Sequence, residues 1–273
     1  MWFRRRTAQA ALLAATTLLT SCSLALDFDK TASEPRTETG FCQQHVGPPA
    51  VFCDDFDADA FGSKWPAVEQ TNGTAKDDNM AFLSSPNSLL SVANAVPMGG
   101  GVRSVGTIGF PSLKSTKVGL RISFSIRVDQ FDATSGAKNI VFDFLYGPVN
   151  DFNQIVVNLV STETAVSVQV AENAQKVGSA TSDYAPHGPF TTKPALGQWM
   201  KVAIDLDILN PVGLGNNLRV RLDDQVQLDT QLQVALKGDT PRIELGVGWV
   251  DSSKPTQAWA VRYDDFLVET IAL

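Results

Sequence analysis

Apolar and polar residues alternate with a period of two along residues 118–129. The apolar set is Val118, Leu120, Ile122, Phe124, Ile126 and Val128. The same alternation returns in residues 200–208, and shorter apolar sets follow in residues 218–222 and 243–249. Because successive side chains of a strand point to opposite faces of a sheet, this pattern predicts strands with one buried face. Turn-rich segments separate them and no segment has the period of an amphipathic helix, so we predict an all-β, antiparallel two-sheet sandwich.

Three segments near the C-terminus carry a resemblance to a known family. They are residues 197–202 (GQWMKV), 218–224 (LRVRLDD) and 263–268 (YDDFLV). Together they resemble the concanavalin-A-like lectin and glucanase jelly roll, which includes the laminin-G-like domains. The resemblance covers residues 50–273 and implies a jelly-roll sandwich whose last strand lies beside the first. Asp223 and Asp224 stand where the family's hairpin usually has glycine, which leaves the turn type open.

The N-terminal 22 residues have the three zones of an export signal. Arginines at positions 4–6 precede an apolar run over residues 10–19, and the segment ends in Leu-Thr-Ser-Cys at Cys22. The apolar run is about ten residues long, whereas a membrane-spanning helix needs roughly 20. The tetrapeptide resembles the bacterial lipobox, which implies a cleaved signal peptide over residues 1–21 and a lipid on Cys22. An ordinary secretory signal is the alternative.

We therefore expect a flexible tether over residues 22–40 and a jelly-roll domain over residues 41–273. The membrane is an expected partner through the N-terminal lipid, and the expected location is the cell envelope. Ser23, by resemblance to enterobacterial sorting signals, favours the outer membrane. The chain has 22 basic and 29 acidic residues, and loss of the three signal arginines takes the net charge from −7 to −10. This charge disfavours nucleic acid as a partner.

The cysteines support an exported location. Lipidation of Cys22 leaves Cys42 and Cys53, and an even number of cysteines in an oxidising compartment favours a disulfide. Two free thiols or half of a metal site are the alternatives. Only His45 and His187 could complete a zinc site, so zinc is disfavoured.

An acidic segment near the start of the domain is a candidate metal site. The apolar positions of the last strand change from odd to even at two aspartates, which predicts a β-bulge there. If the first and last strands are neighbours, as the resemblance implies, five carboxylates could converge and bind Ca²⁺. They are Asp54, Asp55, Asp57, Asp264 and Asp265. The alternative is an acidic strand edge that discourages aggregation.

A carbohydrate surface is the second candidate site. Jelly-roll lectins stack sugars on aromatic rings and bind hydroxyls through polar side chains. The candidate residues are Arg121, Arg127, Asp143, Tyr146, Asn158 and Trp259. Each alone is also consistent with an ordinary solvent-facing residue. Trp65 and Trp199 are expected in the core, since large aromatic residues usually fill a sandwich interior.

Catalytic patterns are absent from the sequence. Glycoside hydrolysis needs two carboxylates, which glucanases of this fold place as Glu-x-Asp-x-x-Glu on one strand, and no such set occurs. The His-Tyr-Arg pattern of alginate-type lyases is also not recognised, because His45 lies in the N-terminal segment and His187 in a Pro-Gly-flanked loop. We therefore expect a non-catalytic glycan-binding module. A divergent polysaccharide hydrolase or lyase is the alternative, and a purely structural envelope protein is a third possibility.

Overall fold

A computed structural model describes residues 40–57, 60–113, 118–147, 153–174, 183–208, 217–233, 241–250 and 255–271. They belong to one compact unit, Thr39–Leu273. The expected signal peptide, the lipidated Cys22 and all of the expected tether except Gly40 lie outside the described residues. Within the described ranges, no helix is long and apolar enough to cross a membrane.

The described residues form fifteen strands and two short 3-10 helices. The strands are β1 (Ala50–Asp54), β2 (Ala67–Thr71), β3 (Gly73–Asp78), β4 (Ser88–Ala93), β5 (Arg103–Gly109), β6 (Val118–Gln130), β7 (Lys138–Tyr146), β8 (Asn153–Ser161), β9 (Val166–Ala174), β10 (Asp183–His187), β11 (Trp199–Ile208), β12 (Asn217–Leu222), β13 (Gln225–Gln231), β14 (Pro241–Val250) and β15 (Trp259–Ile271). The 3-10 helices span Phe41–His45 and Pro111–Leu113.

Two antiparallel sheets form a sandwich, as the alternation predicts. The eight-stranded sheet has the order β13-β12-β11-β6-β15-β4-β3, and β1 pairs with β15 beside that path. The seven-stranded sheet has the order β10-β9-β8-β7-β14-β5-β2. The jelly-roll expectation is therefore confirmed, and the last strand does lie beside the first.

The core lies between the two sheets and consists of the alternating apolar residues. Leu120, Ile122 and Phe124 of β6 are fully buried, and the ring of Phe124 stacks on that of Phe142 with 5.3 Å between centroids. The Tyr263 hydroxyl donates to the carbonyl of Val141 at 3.0 Å, which joins the sheets by a buried hydrogen bond. Each fully buried large apolar side chain stabilises the fold by about 1.5–3 kcal/mol.

The predicted bulge in β15 is present. The register of β15 against β6 shifts between Asp264 and Leu267, and Asp265 has a φ of 51°. The extra residue reverses the inward and outward faces of the strand, so the apolar positions before and after the bulge both face the core. Phe266 and Tyr263 are both fully buried as a result.

The β12–β13 hairpin turns at two aspartates. Asp223 and Asp224 have φ values of 47° and 62°, which is the pair of positive angles that a type I′ turn requires. Aspartate tolerates this region better than most residues because its short side chain bonds locally. The Asp223 carboxylate accepts the backbone N–H of Lys201 at 2.8 Å. Glycine is therefore not needed at this turn.

The predicted disulfide is also present. Cys42 and Cys53 are bonded, with their Cα atoms 5.6 Å apart. The bond ties the helix Phe41–His45 to β1. The backbone N–H of Cys42 also donates to the Asp55 carboxylate at 3.1 Å, so the start of the domain is held by two contacts.

Candidate functional site

A groove of about 960 Å³ runs across the outer face of the seven-stranded sheet. Phe142 and Phe144 of β7 point into the core, so their neighbours Asp143 and Leu145 point outward into the groove. All seven strands contribute lining residues. Neighbouring strands lie about 4.8 Å apart, so a groove lined by seven strands extends over roughly 29 Å, which suits a polymer better than a small molecule.

A lysine and a tyrosine meet at one side of the groove. Tyr184 lies on the edge strand β10, and Lys138 lies at the start of β7. The Lys138 Nζ atom is 5.6 Å from the centre of the Tyr184 ring, and the Tyr184 hydroxyl donates to Gln169 Oε1 at 3.2 Å. Partial burial raises the pKa of Tyr184, so its hydroxyl keeps its proton at neutral and moderately alkaline pH.

Besides Arg103 Nε, which forms an ion pair with Glu69, four buried polar atoms in the groove have no hydrogen-bond partner among the described residues. They are Asp143 Oδ1, Asn158 Nδ2, Asn173 Oδ1 and Arg242 Nε. An unsatisfied buried donor or acceptor costs about 1–3 kcal/mol, and most native structures avoid this cost. Water or a polar ligand in the groove would supply the missing partners of these atoms.

Three further charged residues lie on the β2, β5 and β14 side of the groove. Arg103 pairs with both Glu69 and Glu244, and its Nη2 atom is 2.8 Å from Glu244 Oε1. We call Glu69, Arg103 and Glu244 the Arg103 cluster. Asp143 lies opposite Glu244 on the adjacent strand. Burial, and then the charge of Glu244, hold the pKa of Asp143 well above its usual range.

His187 lies on a strand and not in a loop as expected. It ends β10 and pairs with Val170 of β9, which is a core residue, so its side chain points away from the groove. His187 Nε2 is 2.8 Å from Oε1 of the fully buried Glu172, whose other oxygen accepts the backbone N–H of Gln233. This contact fixes the edge strand that carries Tyr184.

The predicted sugar-binding residues do not form one site. Asp143 and Asn158 line the groove, but Arg121 and Arg127 lie on the eight-stranded sheet, where they pair with Asp205 and Asp129. Tyr146 and Trp259 are 1% and 0% exposed, so the expectation that they are surface aromatics is wrong. Both lie at inward-facing positions of their strands.

The expectation for the other tryptophans is half correct. Trp65 is a core residue, 1% exposed. Trp199 is only partly buried and lines a separate cavity of about 560 Å³ on the eight-stranded sheet, so its assignment to the core is wrong. Trp249, which the alternation of residues 243–249 assigns to the buried face, is 48% exposed and lines the groove, because the register of β14 against β7 shifts between Leu245 and Trp249.

Three groove residues have no sequence pattern that marks them as functional: Lys138, Tyr184 and Arg242. Residues 183–187 (DYAPH) contain a proline and no apolar alternation, so they read as a loop. Lys138 is the first residue of β7 and Arg242 is the second residue of β14, so the signal that places them is the apolar alternation of these two strands. That signal does not say which strands come together.

The acidic residues at the two ends of the domain bond to protein donors. Asp54 accepts from Trp65 Nε1 at 2.7 Å and from Lys64 Nζ at 3.1 Å, and Asp264 accepts the backbone N–H groups of Leu83 and Ser84. The Asp57 carboxylate accepts the backbone N–H of Asn87, and the Asp55 carboxylate accepts the backbone N–H of Cys42. The part of the chain that the structure describes contains no group of three or more His, Cys, Asp or Glu side chains that could hold a metal ion. Calcium binding stays a prediction.

These carboxylates predict that stability depends on pH. Burial raises the pKa of Asp57 to about 6 and that of Asp264 to about 7, from 3.8, and neighbouring aspartates add to both shifts. The folded protein then binds more protons than the unfolded chain between about pH 4 and 7, so the free energy of unfolding falls as the pH rises through that window. We expect a higher melting temperature at about pH 5 than at about pH 8. Asp57→Asn keeps the acceptor for Asn87 and should flatten the dependence, whereas equal melting temperatures in the wild type would contradict the shifts.

Comparison with known proteins establishes the fold. No family model and no curated protein matches the chain. An endo-β-1,4-glucuronan lyase from the fungus Trichoderma reesei matches with a TM-score of 0.61 at 12% identity, covering 81% of this chain and 96% of that chain. The alginate lyase Aly36B matches with a TM-score of 0.55 at 12% identity, covering 82% and 98%. Its variant with a lysine and a tyrosine replaced by alanine, in complex with alginate tetrasaccharide, gives 0.56 at 12% identity, covering 82% of this chain and 98% of that chain.

Proposed function

We propose that the groove binds an acidic polysaccharide and cleaves it by β-elimination, which makes the protein a polysaccharide lyase. The observation that carries the proposal is the contact between Lys138 and Tyr184 in a groove lined by unpaired polar atoms. The similarity in fold to glucuronan and alginate lyases supports it. So does the tetrasaccharide complex, because a lysine and a tyrosine are the residues replaced there. This reverses the expectation of a non-catalytic binding module in favour of its lyase alternative.

Elimination places three demands on a protein. A base removes the proton on C5 of a uronate, the carbon next to the carboxylate. The electrons of that bond form a C4=C5 double bond, the C4–O glycosidic bond breaks, and the leaving oxygen takes up a proton. A donor must also bind the carboxylate, because charge accumulates there when the C5 proton leaves.

Lys138 and Tyr184 fit the two proton-transfer steps. Tyr184 has a raised pKa and stays protonated, so we assign it as the acid that protonates the glycosidic oxygen. Lys138, as the uncharged amine, is assigned as the base. The two groups lie on the same side of the groove, where one sugar ring could contact both.

Asn158 fits the third demand, since it pairs with Ile140, two residues from Lys138. Arg242 pairs with Leu145 at the other end of β7 and would bind the carboxylate of another sugar in the polymer. Arg242 Nε and Asn158 Nδ2 are donors without partners, and a carboxylate offers only acceptors. An arginine is suited to this role because its planar guanidinium matches the geometry of a carboxylate. A location in the cell envelope, tethered by lipid at Cys22, would place the groove where polysaccharides are met from outside the cell.

The activity is tested by incubating the purified full chain with alginate or β-1,4-glucuronan. Elimination creates a double bond conjugated to the carboxylate, so we expect ultraviolet absorbance to increase with time. Because an amine accepts a proton only when uncharged, the rate should increase towards alkaline pH, while Tyr184 still holds its proton. Binding of both polymers without any increase in absorbance would favour the non-catalytic module instead.

A further inference from the structure

Trp249 is a groove residue that the proposed chemistry does not use. Of the described residues that line the groove, Tyr184 and Trp249 carry aromatic rings, and Tyr184 is already assigned as the acid. The indole of Trp249 is 48% exposed, although tryptophan side chains are on average largely buried. A ligand that covers the indole would remove apolar surface from water, so Trp249 is a candidate contact for the substrate.

The backbone of β14 turns Trp249 towards the groove. The apolar residues at positions 243, 245 and 247 are fully buried, and continued alternation would place Trp249 in the core as well. Instead, the register against β7 shifts between Leu245 and Trp249. Gly246 lies in this stretch with a φ of 123°, and a Cβ atom there would collide with the carbonyl oxygen of Ser104, so glycine is required. The strand therefore changes face before Trp249.

Trp249 lies beside the Lys138 side of the groove. It pairs with Ile140 of β7, and Ile140 pairs on its other side with Asn158 of β8. Lys138 lies two residues before Ile140 and is the diagonal neighbour of Trp249, and such neighbours are about 7–8 Å apart. Two strand spacings, about 10 Å, separate Trp249 from Asn158. Neighbouring sugars of one chain can therefore contact Asn158 and Trp249.

An indole ring can bind a sugar through the C–H groups of the sugar. A pyranose with equatorial substituents has a flat face of axial C–H bonds, which packs on an aromatic ring and removes apolar surface from water. The sugars of β-1,4-glucuronan and polymannuronate present such a face and are joined through equatorial bonds. The sugars of polyguluronate are joined through axial bonds, so axial oxygens interrupt their faces and the chain is buckled.

We propose that Trp249 stacks on the sugar next to the uronate that is cleaved, and that it selects flat polyuronates, in which the sugars are joined through equatorial bonds. This inference rests on the proposed lyase function. Ile140 also lines the groove and extends the apolar surface from Trp249 towards Asn158, so a flat chain stays in contact with the sheet between the two. A buckled chain loses the contact with the indole when its carboxylate binds Asn158.

The test compares three polyuronates that carry a carboxylate on every sugar: β-1,4-glucuronan, polymannuronate and polyguluronate. Because their charge is matched, a difference in binding reports the shape of the chain. Binding to the full chain is measured by affinity electrophoresis, and elimination by ultraviolet absorbance. We expect the two flat polymers to bind about tenfold more tightly than polyguluronate, which is the effect of one aromatic contact.

Variants assign the preference to Trp249. Trp249→Ala should bind the flat polymers about tenfold more weakly and polyguluronate as the wild type does, so the preference is lost. Trp249→Phe keeps an aromatic ring and should keep most of the preference. The matched control is Phe82→Ala, which removes an aromatic side chain that is 41% exposed and does not line the groove. This control should bind all three polymers as the wild type does.

The outcomes separate the two proposals. Elimination of the three polymers with equal binding overturns the selection by Trp249 and leaves the lyase proposal standing. A preference that Trp249→Ala retains does the same. Tighter binding of the flat polymers that depends on Trp249, without any elimination, overturns the lyase proposal and supports the selection. Failure to bind any of the three polymers overturns both.

Discussion

Replacing Lys138 by alanine should lower the rate of elimination by two to four orders of magnitude, because loss of a positioned acid or base typically costs that much. Binding of the polymer should change far less, since Arg242 and Asn158 still present donors to different carboxylates of the polymer. The measurement is kcat from the initial rate of ultraviolet absorbance, with affinity electrophoresis on the same variants.

Lys138→Arg separates catalysis from charge. Arginine keeps the positive charge and the reach of the side chain but does not lose its proton in proteins, so it cannot act as a base. We expect Lys138→Arg to bind the polymer and to remain inactive. Lys201→Ala, at an exposed lysine of the eight-stranded sheet, is the matched control and should keep full activity. Recovery of activity by arginine would show that Lys138 contributes charge alone.

Replacing Trp65 by alanine should decrease the free energy of unfolding by about 3–5 kcal/mol. The indole packs against Phe52, Phe61 and Phe266 with centroid distances of 5.5, 6.0 and 5.4 Å. Its Nε1 also donates to the buried Asp54 carboxylate at 2.7 Å. The substitution therefore leaves both a cavity and a buried carboxylate oxygen without its donor.

Trp249→Ala is the control for that loss. Trp249 is 48% exposed in the groove, so its removal should change stability by no more than about 0.5 kcal/mol and should weaken polymer binding instead. Urea unfolding measures the stability of both variants. Similar losses for the two tryptophans would contradict the division between a core residue and a groove residue.

The strands and their inward faces are predictable because the buried face of a strand carries an apolar residue at every second position. β6 and β11 alternate over their whole length, and the shift of apolar positions in β15 predicts the bulge at Asp264 and Asp265. The disulfide follows from the number of cysteines left after Cys22. These features depend on neighbouring residues in the chain or on simple counting.

The groove is not predictable because alternation does not assign a strand to a sheet. Arg121 and Asp143 both occupy outward positions in apolar strands, yet they lie on opposite faces of the molecule. Tyr146 and Trp259 end or begin their strands, where the sequence leaves the direction of a side chain open. The pairing of β9 with β10 brings Tyr184 towards Lys138, and no local pattern encodes it.

Hydrolases and lyases are not distinguished by any sequence pattern in this chain, and one measurement separates them directly. The full chain is incubated with alginate and with β-1,4-glucuronan in water enriched in oxygen-18, and the products are analysed by mass spectrometry before their reducing ends exchange oxygen with the solvent. Elimination adds no water, so the new non-reducing ends should carry an unsaturated uronate and no product should contain the heavy isotope. Heavy oxygen in products that lack the unsaturation would identify hydrolysis and contradict the assignment of Lys138 and Tyr184 as an eliminating pair.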